Sequence, residues 1–476
     1  MTSFSDSKVW GFLNVLLVLF ACLLLANLLK KSVKFLRRSL IPTSVIGGLF
    51  ALLAAIIYEA VTGQENLFDT AFFGGNGSAV LEMLTYHGLA LGFIASTLRP
   101  ATQKFTKQRN IEIFNTGVTT VATYLMQGVL GLVITIAATL ILPDFFSGAG
   151  VLLPFGYGQG TGQAMNYGGI FETQYGFVGG KSFGLTIAAL GFISAGIGGV
   201  SYLNVLRKKG RITFSEEDVT DAINGEAIQN PDEVPMNGSI DKMTIQLAII
   251  TVTYGLAFFA MRLLGGLLGE NLKATIFGLN FLFGVLFAAV VKGLLGALER
   301  KQIVHKKYIN PFLMTRLSNF FFDLMIIAGV AAIRLEVIKK YWWILLLLGA
   351  LGAAATYGYN LFIAKKLFRG YADEQFLVMY GMLTGTASTG IILLREKDMK
   401  FQTPAADNLV YQNFPAIALG FPMMILATLA AEKPLLTLGI TAAYWAVLNV
   451  LHFRSFLFKR KKNTEKTDGS EPTKTE

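Results

Sequence analysis

The groups in this chain that could do chemistry gather in two short stretches, "GYGQGTGQAMNYGG" from Gly156 and "GMLTGTASTG" from Gly381. Thr161, Gln163 and Asn166 in the first, and Thr384, Thr386, Ser388 and Thr389 in the second, are neutral hydroxyl and amide side chains that both donate and accept hydrogen bonds. Gly160, Gly162 and Gly385 stand among them, and a residue without a Cβ lets backbone come close to a bound molecule. Such groups suit holding a small solute. No His-Glu-x-x-His, Gly-x-Ser-x-Gly or paired catalytic aspartates occur, which argues against an enzyme. Nor do the glycines form a nucleotide cradle. "GFVGGKS" lacks the earlier glycine of a phosphate-binding loop, and neither stretch follows G-x-G-x-x-G behind a strand.

The elements that must position these groups are membrane helices. Of the 476 residues 53% are hydrophobic and 15% charged, a balance that water-soluble domains rarely reach. Apolar runs of about 20 residues recur along the chain, enough to cross roughly 30 Å of hydrocarbon as a helix, and they lack the alternation of a membrane β-barrel. Spans are expected near residues 9–29, 40–60, 85–99, 117–142, 181–205, 243–268, 273–297, 316–334, 341–364, 409–430 and 435–455. The expected fold is therefore an all-α polytopic membrane protein with about 11 transmembrane helices. The first run is too long for a signal-peptide core and is followed by Lys30 and Lys31, so it reads as retained. The single cysteine, Cys22, excludes an intrachain disulfide.

Net charge +11 would suit nucleic acid, but the cations sit in short loops, where they determine topology beside anionic lipid. Lys30, Lys31, Lys34, Arg37 and Arg38, then Arg99, Lys104, Lys107 and Arg109, then Arg207, Lys208, Lys209 and Arg211 mark the cytoplasmic side. The N-terminus is expected outside and the C-terminus inside. Lys339 and Lys340 fall on the outer side and do not fit this count.

The two hydrophobic blocks look related. "IAALGF" from Ile187 answers "AIALGF" from Ala416, "GFIASTLR" from Gly92 answers "AGVAAIRL" from Ala328, and each block carries one glycine-rich stretch in the same place. The expected layout is a five-helix unit over residues 1–206 with its special segment at 151–178, and a polar cytoplasmic linker at 207–242. A second unit covers 243–430 with its segment at 375–394, followed by an extra helix at 431–458 and a disordered tail at 459–476. An odd number of crossings per unit puts the copies in opposite orientations, as in many secondary transporters.

Lipid cannot satisfy unpaired backbone groups, so unwound glycine-rich backbone survives at this depth only inside protein or against water. Each stretch is expected to dip in and return, the first from outside and the second from the cytoplasm, so that the tips meet near the midplane. Helix N-termini there suit carboxylates, and carbonyls and hydroxyls suit sodium. Asp323 in "NFFFDLMIIAG" could hold sodium or an ammonium group, or pair with Arg316 or Lys292. Asn413, just after the second stretch, is a further ion or substrate contact to test.

"GQGTGQA" from Gly158, "YGFVGGKSFGLTIAALGFISAGIGG" from Tyr175 and "GMLTGTASTG" together resemble the bacterial glutamate/sodium symporter family. The resemblance implies a homodimeric, sodium-coupled glutamate importer of the bacterial cytoplasmic (inner) membrane, with one repeat-built core moving elevator-like against a scaffold. It carries the site onto Gly160, Thr161 and Gly162, and onto Gly385, Thr386 and Ala387. The ion-binding candidates are Asp323, Thr386 and Asn413, with Na+ as co-transported ion. Coupled transport of another small carboxylate or anion, and a passive channel, remain alternatives.

Overall fold

The computed structural model describes residues 6–64, 66–99, 106–212, 240–269, 273, 276–303, 306–398 and 402–454. The tail expected at 459–476 and most of the linker expected at 207–242 lie outside them. The described residues are overwhelmingly helical and include no strand.

The chain opens with α1 (Ser7–Ser32), α2 (Lys34–Ser39), α3 (Thr43–Thr62), α4 (Gly77–Leu98) and α5 (Lys107–Ala138). Two consecutive helices, α6 (Leu152–Gln159) and α7 (Thr161–Tyr175), precede α8 (Gly180–Lys208). The second block contains α9 (Lys242–Leu268), α10 (Asn280–Arg300), α11 (Pro311–Ala331) and α12 (Leu335–Leu367). It then has a second consecutive pair, α13 (Ala372–Thr384) and α14 (Ala387–Arg395), before α15 (Ala405–Tyr411), α16 (Asn413–Glu432) and α17 (Pro434–His452). Eleven described helices are long and apolar enough to cross a membrane, the number read from the sequence.

The main differences lie at the helix ends and in the glycine-rich stretches. Helix α5 begins at Lys107, ten residues before the expected 117, because the polar run "KQRNIEIFNT" continues the helix below its apolar part, with the Thr106 side chain accepting from Arg109 N at 3.4 Å. Helix α4 begins at Gly77 instead of 85, and α10 at Asn280 instead of 273. Helix α12 runs through a kink at Tyr341. The glycine-rich stretches, expected to be unwound, are helical except at short breaks, because the surrounding protein packs their glycine faces tightly enough to offset the poor helix propensity.

Helices α8, α5 and α11 are the most enclosed long helices, and with α6, α7 and α12 they build the main apolar core. Helices α1, α9 and α17 turn most of their side chains outward, as lipid-facing helices do. The small residues of α8 serve close packing: a Cβ on Gly191 would lie 2.5 Å from Thr384 O, and one on Gly196 2.8 Å from Ser39 O. Lys339, the misfit in the charge count, is paired with Glu59 at 3.3 Å.

Candidate functional site

Gly160 is the whole of the first break. Its φ of 81° and ψ of −171° lie where only glycine is at ease, and they separate α6 from α7. The chain reverses there: Phe155, five residues before the break, stacks on Tyr167, seven after it, with ring centres 4.2 Å apart. The second break comprises Gly385 and Thr386, and it too reverses the chain. A Cβ on Gly381 would lie 2.7 Å from Gly390 Cα, and Lys397, just past α14, pairs with Glu374 at the start of α13 at 3.4 Å. Each pair of short helices is thus a hairpin with its break at the tip.

Helix α5 measures where these hairpins lie. The first begins beside the C-terminal end of α5, where Thr135 Oγ1 donates to Ser147 O at 2.6 Å. The second begins beside its N-terminal end, where the Tyr371 hydroxyl donates to Glu112 Oε2 at 2.8 Å. Both tips are held halfway along it: Tyr124 OH donates to Gly158 O at 3.0 Å, and Gln127 Nε2 to Leu383 O at 2.9 Å. The tips touch. A Cβ on Gly160 would lie 3.6 Å from Thr386 Cγ2 and 4.0 Å from Gly385 O.

Four helix ends therefore converge at one depth, two offering carbonyls and two offering amide N–H groups. The carbonyl ends have side-chain donors in Tyr124 and Gln127. The N-termini of α7 and α14 have no side-chain cap, and the positive ends of both helix dipoles lie at the breaks.

The structure gathers part of the expected residue set here. Thr161 is buried and donates to Met325 O at 3.3 Å. Gly162 lies where a Cβ would be 2.8 Å from Leu89 Cβ. Gln163 is fully buried in the first turn of α7, and its Nε2 has no hydrogen-bond partner among the described residues. Thr386 and Thr389 face one another, hydroxyl to hydroxyl, at 3.3 Å, and Ser388 and Ala387 complete the first turn of α14. Thr384 is turned back into its own helix, donating to Tyr380 O at 2.6 Å. Asn166 donates to Gly278 O at 3.2 Å and lies a turn away from the tip.

Two candidates lie elsewhere. Asp323 is beside Ser44 of α3, whereas Met325, two residues on, faces the tips; two residues turn a helix through more than half a circle. Its expected partner Lys292 donates instead to Thr97 O at 3.1 Å and Arg99 O at 2.5 Å. Asn413 accepts from Gln412 Nε2 at 3.1 Å, and the buried member of that pair is Gln412.

Met325, Phe192, Leu89, Tyr124 and Gln127 also wall the tips. The first three carry no signal in an apolar span. Gln127 does: "NTGVTTVATYLMQG" sets Thr116, Thr120, Thr123 and Gln127 on one stripe of α5, a helical period of polar groups inside a membrane span. Among the described residues there is no cluster of three or more His, Cys, Asp or Glu that could hold a metal.

A family model described as sodium/glutamate symporter matches residues 10–370, stopping just before α13. No curated protein matches the chain.

Proposed function

The chain belongs to the sodium/glutamate symporter family, and from that premise we propose that it imports glutamate by holding it between the two hairpin tips. It is a multi-pass membrane protein, a transporter and not an enzyme, with Na+ as the co-transported ion. The observation that carries the site is the meeting of two uncapped helix N-termini halfway along α5. Glutamate has two carboxylates, and two such ends suit them; its ammonium group suits the carbonyl ends of α6 and α13. Gln163 Nε2, buried with an unused donor, would reach a carboxylate oxygen. Thr386, Ser388 and Thr389 would serve either substrate or sodium.

In this reading the hairpins are the re-entrant segments of an inverted repeat, the first entering from outside and the second from the cytoplasm. Alternating access then exposes the shared site to each side in turn, the hairpin-bearing core moving against a scaffold. A homodimer would supply that scaffold.

Glutamate carries one net negative charge, so at least two sodium ions must accompany it if the membrane potential is to help, at about 2.3 kcal/mol per net charge per 100 mV. Radiolabelled glutamate uptake into proteoliposomes tests this. Accumulation should require an inward sodium gradient and rise when the interior is made negative. Uptake indifferent to sodium and potential, or flux that only ever runs down the glutamate gradient, would contradict it and point to a channel.

A further inference from the structure

The polar stripe of α5 faces α12, and between them lies a surplus of oxygen acceptors. Gln127 Nε2 donates to Thr356 Oγ1 at 2.8 Å and to Leu383 O at 2.9 Å. Asn360 Nδ2 donates to Thr356 O at 2.9 Å and lies 3.4 Å from Thr123 Oγ1. A backbone carbonyl only accepts, so each amide is fixed with its nitrogen toward that carbonyl and its oxygen turned away. Those two oxygens, Gln127 Oε1 and Asn360 Oδ1, are buried and accept nothing among the described residues. Thr123 and Gln127 are one turn apart on α5, as Thr356 and Asn360 are on α12. The cross-links Gln127–Thr356 and Asn360–Thr123 place both amides on the one seam between α5 and α12.

Of the hydrogens named here only that of the Thr356 hydroxyl is uncommitted, one donor for two buried acceptors. Both amide groups donate to oxygens already named, and the Thr123 hydroxyl donates to Thr119 O at 2.7 Å. A buried acceptor without a donor costs about 1–3 kcal/mol, and two together call for an occupant that gives positive charge to several oxygens at once. The partners named here are amide, hydroxyl and carbonyl oxygens, a neutral set that matches a hard monovalent cation and leaves a divalent one uncompensated.

We infer that a sodium ion binds in this seam, on Gln127 Oε1, Asn360 Oδ1 and the free lone pair of Thr356 Oγ1, separate from the substrate's place at the tips. Gln127 also holds Leu383 O, two residues before Gly385, so occupancy of the seam is coupled to the second tip through one side chain. The stripe continues from there toward the N-terminal end of α5. Thr120 donates to Gln412 Oε1 at 2.9 Å, Gln375 Nε2 to Thr116 Oγ1 at 3.2 Å, and Asn408 Nδ2 to Gln375 Oε1 at 3.1 Å. Asn408 Oδ1 is a third acceptor without a donor among the described residues. Its orientation is fixed because Tyr371, whose proton goes to Glu112, must accept from Asn408 Nδ2 at 2.9 Å. This row of oxygens gives the ion a path to the seam.

The site rests on the sodium-coupled reading above, and the test separates the two. The purified full chain is titrated with sodium chloride against choline chloride without glutamate, following thermal stabilisation, and uptake reversal potentials give the number of ions moved per glutamate. In Asn360→Leu and Gln127→Met the half-maximal sodium concentration should rise at least tenfold and the ion count should fall by one. Asn360→Asp keeps the shape and adds charge, so it should fold even where Asn360→Leu does not, and its half-maximal sodium concentration should fall. Variants with wild-type sodium dependence and ion count would show that only water fills the seam and would overturn the site. A wild-type protein without sodium-driven uptake would instead overturn the transport reading itself.

Discussion

At the scale of single residues the site rests on one backbone angle and one unused donor. Gly160 has φ of 81°, and a side chain there costs about 1–3 kcal/mol whatever the space around it. Gly160→Ala is therefore expected to lower the melting temperature and to abolish sodium-driven uptake, although a Cβ would meet nothing closer than 3.6 Å. Gln163→Leu is expected to do the reverse for stability, because it removes a buried amide whose Nε2 has no partner among the described residues. It should nonetheless weaken glutamate binding at least tenfold, about 1.4 kcal/mol, in calorimetry on the purified protein. A sequence reader could see Thr161, Gln163 and Thr386, because polar groups among glycines are conspicuous in a membrane span. Met325 and Phe192 were invisible, being apolar residues in apolar helices. Asp323 drew attention by its charge, yet helical phase turns it toward Ser44 while Met325 takes the face toward the tips.

At the scale of elements α5 does the positioning. Its length sets where each hairpin starts, and Tyr124 and Gln127 fix how far each reaches. Tyr124→Phe removes the hydrogen bond to Gly158 O and should cost about 0.5–1.5 kcal/mol of stability, read as a drop in melting temperature. The freed carbonyl end should also loosen the first tip and lower uptake at fixed expression. Hydropathy made the eleven spans legible, since each must be apolar for about 20 residues. It could not show how little of the glycine-rich backbone is unwound. Glycine is a poor helix former in water, but here close neighbours such as Gly168 against Gly180 and Gly381 against Gly390 need the missing Cβ, and packing decides in favour of helix. The polar extension of α5 was likewise hidden, because "KQRNIEIFNT" has no apolar signal.

At the scale of the molecule two hairpins start at opposite ends of one long helix and meet at its middle. In the proposed reading that meeting point is the solute's place, and alternating access would open it to each side in turn. The family match at residues 10–370 carries the identity of ion and substrate. If both tips together hold glutamate, its binding depends on residues of each tip and on sodium. Calorimetric binding of glutamate to the purified protein, in sodium and in choline, tests it most directly when wild type is compared with Thr161→Val and Thr386→Val, one change at each tip. Binding is expected in sodium alone, weakened several-fold by either substitution; binding as tight in both variants as in wild type, or no need for sodium, would contradict a shared site.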